Sequence, residues 1–139
     1  MRAALVGVVA LTMAFVHPAQ SSFDAAVAAF ERAWRGGDAD AIAGMMVPEG
    51  IQLQLGSESH SLVAGRQARA AVAGFRGSRA PGRLDVQQAG EVAGDPPKGS
   101  AQFRWRTVVQ GTSEEVAYTI FVELTRATGG WRISALRVF

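Results

Sequence analysis

Two hydrophobic periods divide this chain, and they constrain its fold more than any other feature. Apolar residues recur every three or four positions along 23–34 and again along 68–75, which predicts helices with one buried face. In 51–55 and 116–124 the interval falls to two, which predicts half-buried strands. The chain is therefore expected to contain both helices and a sheet.

The stretch AWRGGDADAIAGMM, residues 33–46, joins two of the predicted helices. Gly36 and Gly37 are expected to end the first helix, because glycine adopts the left-handed conformation without a Cβ penalty. Asp38 is expected to cap a short second helix. A phosphate-binding loop would need the pattern G-x-x-x-x-G-K-[ST], and no lysine follows these glycines. The sequence thus predicts a helix-to-helix corner and not a nucleotide site.

The second half of the chain carries the strand pattern. Alternating apolar residues predict strands over 84–92, 103–109, 116–124 and 131–139. A bulge is expected at Gly90, and another near Ser134–Ala135, where the apolar positions change parity. Together with a third helix from Gly65, this order predicts an α+β fold with three N-terminal helices packed against a curved, mostly antiparallel sheet.

The N-terminus has a different composition from the rest. Arg2 precedes an apolar run over 3–16, which a His17-Pro18 pair breaks. This is the layout of a signal peptide, and the run is shorter than the ~20 residues of a membrane span. We expect a signal peptide over 1–21 and one mature domain over 22–139, exported to the periplasm or secreted, with no stable membrane span after signal removal. An uncleaved membrane anchor is the alternative. The chain has no cysteine, which excludes disulfides and thiol catalysis.

Three segments carry a family resemblance: FERAWRGGDADAIAGMM, SLVAGRQARAAVAGF and GGWRISALRVF. They resemble the helix-corner-helix, the third helix and the closing strand of the nuclear transport factor 2-like superfamily. That superfamily includes ketosteroid-isomerase-like and polyketide-cyclase-like proteins and many small exported members. The resemblance implies a cone-shaped domain, in which the bent sheet wraps around the first helix. Its members use the pocket at the open end as an active site, use it as a ligand cavity, or fill it with side chains.

The aromatic residues are the best candidates to line or fill such a pocket. The predicted ligand-pocket residues are Trp34, Trp105, Tyr118, Phe121 and Trp131. Core packing is the ordinary role of such residues. A pocket that they line would favour a small apolar or flat ligand.

Evidence for catalysis is weaker. The isomerase-like members pair an aspartate base with a tyrosine and a protonated acid. Tyr118 is the only tyrosine, while Asp85 and Glu123 alternate with apolar strand residues and are expected to face solvent. His60 is the remaining candidate for a general base, and a partly exposed histidine near a turn is the alternative interpretation. One histidine and scattered acids supply too few ligands for a metal, and we expect no cofactor.

Charge and the arginines leave the partner open. Arg66, Arg69 and Arg76 are expected on one helical face, with Arg79 and Arg83 just beyond it, either as a solvated surface or as a patch for anionic ligands. The formal net charge of +2 is too small to indicate a nucleic-acid-binding protein. Three functions remain: a non-catalytic exported domain that binds a small ligand or a protein, an acid-base enzyme of the isomerase or cyclase type, and a structural homodimer joined through the sheet face.

Overall fold

Three helices and six strands make up the fold of residues 18–139, the part of the chain that the computed structural model describes. The elements are α1 (Pro18–Gly36), α2 (Ala39–Gly44), β1 (Ile51–Leu55), β2 (Glu58–Val63), α3 (Gly65–Gly77), β3 (Arg83–Val92), β4 (Lys98–Val108), β5 (Glu115–Ala127) and β6 (Gly130–Val138). The six strands form one sheet in the order β2-β1-β6-β5-β4-β3. Only the β1–β6 pair is parallel within it. The predicted α+β class is confirmed.

The predicted signal peptide lies largely outside the described residues. Of its 21 positions, only 18–21 belong to the described part, where they form the first turn of α1. Within residues 18–139, no helix combines the length and the hydrophobicity that a membrane span requires.

Helix α1 packs its apolar stripe against the inner face of the sheet. The buried residues of this stripe are Phe23, Val27, Phe30, Ala33 and Trp34. Phe30 lies 5.4 Å from Phe103 of β4, measured between ring centroids, and Trp34 lies 5.2 Å from Trp105. Burying large aromatic side chains contributes about 2 to 3 kcal/mol each, so this interface is the main hydrophobic core.

The Gly-Gly-Asp corner ends α1 and begins α2, as predicted. Gly37 has φ of 65°, its N–H donates to the Trp34 carbonyl, and the Asp38 N–H donates to the Ala33 carbonyl at 2.9 Å. This pair of bonds is the Schellman motif. The Asp38 carboxylate accepts the N–H of Ala41 at 3.0 Å and so caps α2. The N–H groups of Gly37 and Asp38 are thus bound internally, and a phosphate could not use them.

Arg76 departs from the prediction for the α3 arginines. Arg66 and Arg69 are exposed, but Arg76 is only 5% exposed. Its Nε donates to the Trp34 carbonyl at 2.7 Å and its Nη2 to the Arg35 carbonyl at 2.9 Å. Burial lowers the pKa of the Arg76 guanidinium below its usual range. The last carbonyls of α1 offset the free-energy cost of burying the Arg76 charge, because they carry the negative end of the helix dipole.

Register shifts occur in three strand pairs, β1–β2, β3–β4 and β5–β6, and the sequence predicts the last of them. Pairing between β5 and β6 passes from Glu123–Ala135 to Leu124–Ile133, so Ser134 has no partner and the predicted bulge is confirmed. The bulge predicted at Gly90 is wrong, because Gly90 pairs with Ser100 in a regular ladder. The irregularity in β3 lies between Val86 and Gln88 instead.

We expect the substitution Arg76→Gln to lower the free energy of unfolding by about 3 kcal/mol, because it leaves buried carbonyls without their donors. Arg66→Gln removes the same charge from an exposed position of α3 and should change stability by less than about 0.5 kcal/mol. Urea unfolding followed by circular dichroism measures both. Equal midpoints for the two variants would show that Arg76 does not hold the end of α1.

Candidate functional site

An aromatic cluster occupies the space between the helices and the sheet where the resemblance implies a pocket. Trp34 and Trp105 are fully buried, and Tyr118 stacks on Trp105 at 5.5 Å between ring centroids. Phe75 of α3 meets Tyr118 edge to face, also at 5.5 Å. These four rings contact one another in a continuous cluster. The side chains therefore fill this part of the cone.

The other two predicted pocket residues lie elsewhere. Trp131 is buried against Phe23 at 5.1 Å, apart from the cluster around Trp105. Phe121 is half-buried on the opposite face of the sheet, because its neighbours Ile120 and Val122 point inward. The predicted inward placement of Phe121 is wrong. The five aromatic residues thus occupy three separate places.

An open cleft lies next to the aromatic cluster, between α3 and the turn that joins β1 to β2. Its volume is about 450 Å³, within the range of small-molecule sites. The lining residues are Leu55, Gly56, Ser57, Glu58, Ala70, Ala71, Gly74, Phe75, Ser78 and Arg79. The small side chains of α3 leave room for a ligand, and Phe75 connects the cleft with the cluster behind it.

Arg79 is the cation of this cleft, and several contacts fix its position. Its Nε donates to the Tyr118 hydroxyl at 3.0 Å, and its Nη1 donates to the Phe75 carbonyl and the Ser78 hydroxyl, both at 2.8 Å. The guanidinium carbon lies 3.7 Å from the centre of the Phe75 ring, which is a cation–π contact. The backbone on either side of Arg79 is bonded at the end of β4: the Ala80 N–H donates to the Val108 carbonyl, and the Gln110 N–H donates to the Ser78 carbonyl.

The titratable candidates are exposed. His60 lies on β2 with its side chain 42% exposed, 3.9 Å from the carboxylate of Glu58 and outside the cleft lining. Glu58 borders the cleft, but its side chain is 74% exposed. Asp85 faces outward and pairs with Arg83 at 3.0 Å, and Glu123 lies on the same outer face as Phe121. In the described part of the chain, the buried polar or charged side chains are those of Arg76 and Thr107.

Metal ligands do not converge within the described residues. No group of three or more histidine, aspartate or glutamate side chains between residues 18 and 139 is close enough to hold a metal ion. The cleft itself offers one fixed guanidinium, hydroxyls, a carboxylate at its border and an aromatic ring.

Comparison with known proteins places the fold. A ketosteroid isomerase-like protein from Erwinia carotovora has a TM-score of 0.67 at 16% identity, over 88% of this chain and 96% of that one. A DUF4783 family protein from Bacteroides uniformis has a TM-score of 0.66 at 14% identity, over 80% and 93% of the two chains. A de novo designed protein with a curved β-sheet matches with a TM-score of 0.59 at 11% identity, over 86% and 98%.

The chain has the nuclear transport factor 2-like fold, as the sequence resemblance implied. No protein-family model matches the sequence, and no curated protein is similar enough to count as a relative. At these identities the likeness establishes the fold alone, so the function must be argued from the cleft.

The sequence placed Arg79 next to the arginines of the third helix but did not indicate that it lines a cleft with Phe75. Phe75 belongs to the apolar side of the predicted third helix, where a core role is the natural expectation. Arg79 lies in GSRAPG, whose glycines and proline indicate only that the helix ends. Its neighbour Tyr118 is 39 residues away along the chain, so no local pattern connects the two side chains.

We expect Gly74→Ala to raise the free energy of unfolding by about 0.5 to 1 kcal/mol. A Cβ at Gly74 meets no atom within 4 Å, and alanine is the better helix former in a helix interior. Gly82→Ala should destabilise instead, because Gly82 has φ of 60° and its Cβ would collide with the Arg106 carbonyl. Thermal and urea unfolding of both variants measures these changes. A destabilised Gly74→Ala protein would mean that the cleft wall at this position is already closely packed.

Proposed function

We propose that this protein is an exported, non-catalytic binding domain that takes a small molecule in the cleft between α3 and the β1–β2 turn. The observation that carries this proposal is the division of the aromatic residues. Trp34 and Trp105 fill the interior of the cone, while Phe75 and Arg79 border an open cleft beside it. Ligand sites combine apolar walls with a few fixed polar groups. In this cleft Leu55, Ala71 and Phe75 supply apolar wall and Arg79 supplies a fixed cation, while the exposed lining as a whole is mostly polar.

The exposure of the titratable side chains distinguishes a binding site from the active site of an acid-base enzyme. A general base is tuned by desolvation, which requires a carboxylate or imidazole inside an apolar site. Neither Glu58 nor His60 is buried. The buried cation, Arg76, donates to backbone carbonyls and is not directed at the cleft. These placements support a binding site and give no support to an acid-base enzyme.

A homodimer joined through the outer face of the sheet is the second hypothesis, and it has less support than ligand binding in the cleft. Phe121 and the exposed Val92 give this face a small apolar area. Arg104 and Arg106 of β4 and Arg137 of β6 lie on the same face, as the strand pairings show. Asp85 and Glu123 share this face, so two copies packed face to face would have to desolvate charges of both signs, which costs free energy.

A large side chain in the cleft wall should weaken ligand binding. Gly74→Leu places a large side chain in the cleft wall, whereas Gly77→Leu makes the same change one turn further along α3, outside the cleft. In both cases a Cβ meets no atom within 4 Å, so both variants should fold. Binding of indole and 2-naphthol, followed by amide chemical shifts, should weaken at least about tenfold in Gly74→Leu, which is about 1.4 kcal/mol, and stay unchanged in Gly77→Leu.

Two results would contradict the proposal. Equal binding by both variants would place the ligand elsewhere on the protein. Failure of indole, 2-naphthol and a wider set of one-ring and two-ring aromatic fragments to shift any amide of the cleft would mean that the cleft does not bind flat small molecules.

Export is tested separately from binding. When the full chain is expressed in a bacterial host, we expect the protein in the periplasm or medium with its N-terminus at Gln20 or Ser22, because Ala19 and Ser21 offer small residues for cleavage. Mass spectrometry of the fractionated protein identifies that terminus. Full-length protein that stays in the cytoplasm would contradict the signal peptide, and full-length protein in the membrane fraction would indicate the uncleaved anchor.

A further inference from the structure

Arg79 has hydrogen-bond donors that the described part of the protein does not use. A guanidinium carries five N–H groups. The one on Nε is bound by the Tyr118 hydroxyl, and the two on Nη1 are bound by the Phe75 carbonyl and the Ser78 hydroxyl. Nη2 forms no hydrogen bond with the described side chains and backbone of residues 23–139. Two donors on the cleft wall are therefore available to a ligand.

Arg79 also differs from the paired arginines of this protein. Arg35, Arg69 and Arg83 each form an ion pair with a carboxylate. Every acceptor of Arg79 among the described residues is neutral: a phenol, a hydroxyl and a carbonyl. The half-buried guanidinium thus keeps a positive charge without a carboxylate beside it.

The guanidinium is held in place before any ligand arrives. Phe75 stacks on it at 3.7 Å, and the Tyr118 ring centre lies 5.3 Å from it. Ordering a long side chain is a large part of the cost of an ion pair, and here the protein's own contacts have already ordered it. A guanidinium that is already fixed loses less conformational entropy than a mobile lysine when it binds an anion.

We infer that Arg79 binds the carboxylate of an apolar, flat carboxylic acid through Nη2, with one N–H of this nitrogen donating to a carboxylate oxygen. This inference rests on the proposed binding function of the cleft. The carboxylate would lie against Nη2, with the apolar body beside Leu55 and Ala71, which line the same cleft. A carboxylate fits because charge-assisted hydrogen bonds are the strong ones and its charge compensates that of Arg79.

Glu58 sets a second feature of the ligand. Its carboxylate borders the cleft that Arg79 lines, so the ligand meets one positive and one negative group. A ligand with a single negative charge is attracted by Arg79 and repelled only weakly by Glu58, whose side chain is mostly exposed. A dianion such as a phosphate monoester doubles both the attraction and the repulsion, and the donors of Nη2 alone would have to replace its stronger hydration. The cleft should therefore prefer monocarboxylates to phosphate monoesters.

Two probes of equal size test the carboxylate assignment. 3-Phenylpropionate and 3-phenylpropan-1-ol share a ring and a chain and differ in charge. In the unaltered protein we expect the acid to bind at least about tenfold more tightly than the alcohol, with amide shifts at Gly74 and Ser78. In Arg79→Gln this preference should disappear, and in Arg79→Lys it should be reduced.

The controls separate a specific site from general attraction. Arg66→Gln removes one positive charge from an exposed position of the same helix and should keep the full preference. Arg79→Gln also loses its bond to Tyr118, so its fold is checked by its amide spectrum. If Arg79→Gln does not fold, two other variants test the site. Arg79→Lys should show a smaller preference for the acid over the alcohol, and Gly74→Leu should bind neither probe. Glu58→Gln should bring phenyl phosphate closer to the affinity of 3-phenylpropionate.

The outcomes distinguish this inference from the proposed function. Equal binding of the acid and the alcohol to the unaltered protein would overturn the carboxylate site and leave the cleft as a binding site for neutral molecules. A preference that survives in Arg79→Gln, or that is equally lost in Arg66→Gln, would overturn the role of Arg79. If indole and 2-naphthol also fail to shift any amide of the cleft, the proposed function fails with it.

Discussion

One buried guanidinium couples the two longest helices of this protein. Arg76 lies in the last turn of α3, donates to the carbonyls of Trp34 and Arg35 at the end of α1, and donates to the Arg79 carbonyl just beyond its own helix. The same group also lies 5.5 Å from the ring centre of Trp105. Because an unpartnered charge in this position would be costly, these acceptors must stay in place. Arg76 thereby fixes the interior position of Trp34 and the cleft position of Arg79 together.

The aromatic side chains that fill the cone determine where open space remains beside the sheet. Trp34, Trp105, Phe75 and Tyr118 pack ring against ring inside the sheet. Such packing contributes to stability beyond the area that it buries, and it leaves no room for a ligand among these rings. The open space lies instead on the side of Phe75 that faces the β1–β2 turn. A fold that can host a deep pocket thus presents a shallower one, with a cation at its wall.

Local signals made much of this fold predictable, and long-range contacts account for what was missed. The corner at Gly37 and Asp38 follows from residue chemistry within a few positions, and the bulge at Ser134 follows from a change of parity. Arg76 could not be told from Arg66 or Arg69 in the sequence, since its acceptor at Trp34 is 42 residues away. The outward position of Phe121 could be predicted, because it alternates with the inward residues Ile120 and Val122 of β5. Its aromatic side chain alone suggests a core position, and that suggestion is wrong.

Arginine side chains in this protein divide by the charge of what they contact, and this division gives the cleft its chemistry. Exposed ones such as Arg69 and Arg83 pair with carboxylates that water also solvates, so each pair contributes little. Arg76 is satisfied by helix carbonyls, whose dipole supplies the negative potential. Arg79 has neutral partners and is partly withdrawn from water, so its charge is the least compensated of the four. A ligand carboxylate at Nη2 would supply the missing charge, and the free energy gained there would appear as affinity, because the protein's own contacts have already ordered the side chain.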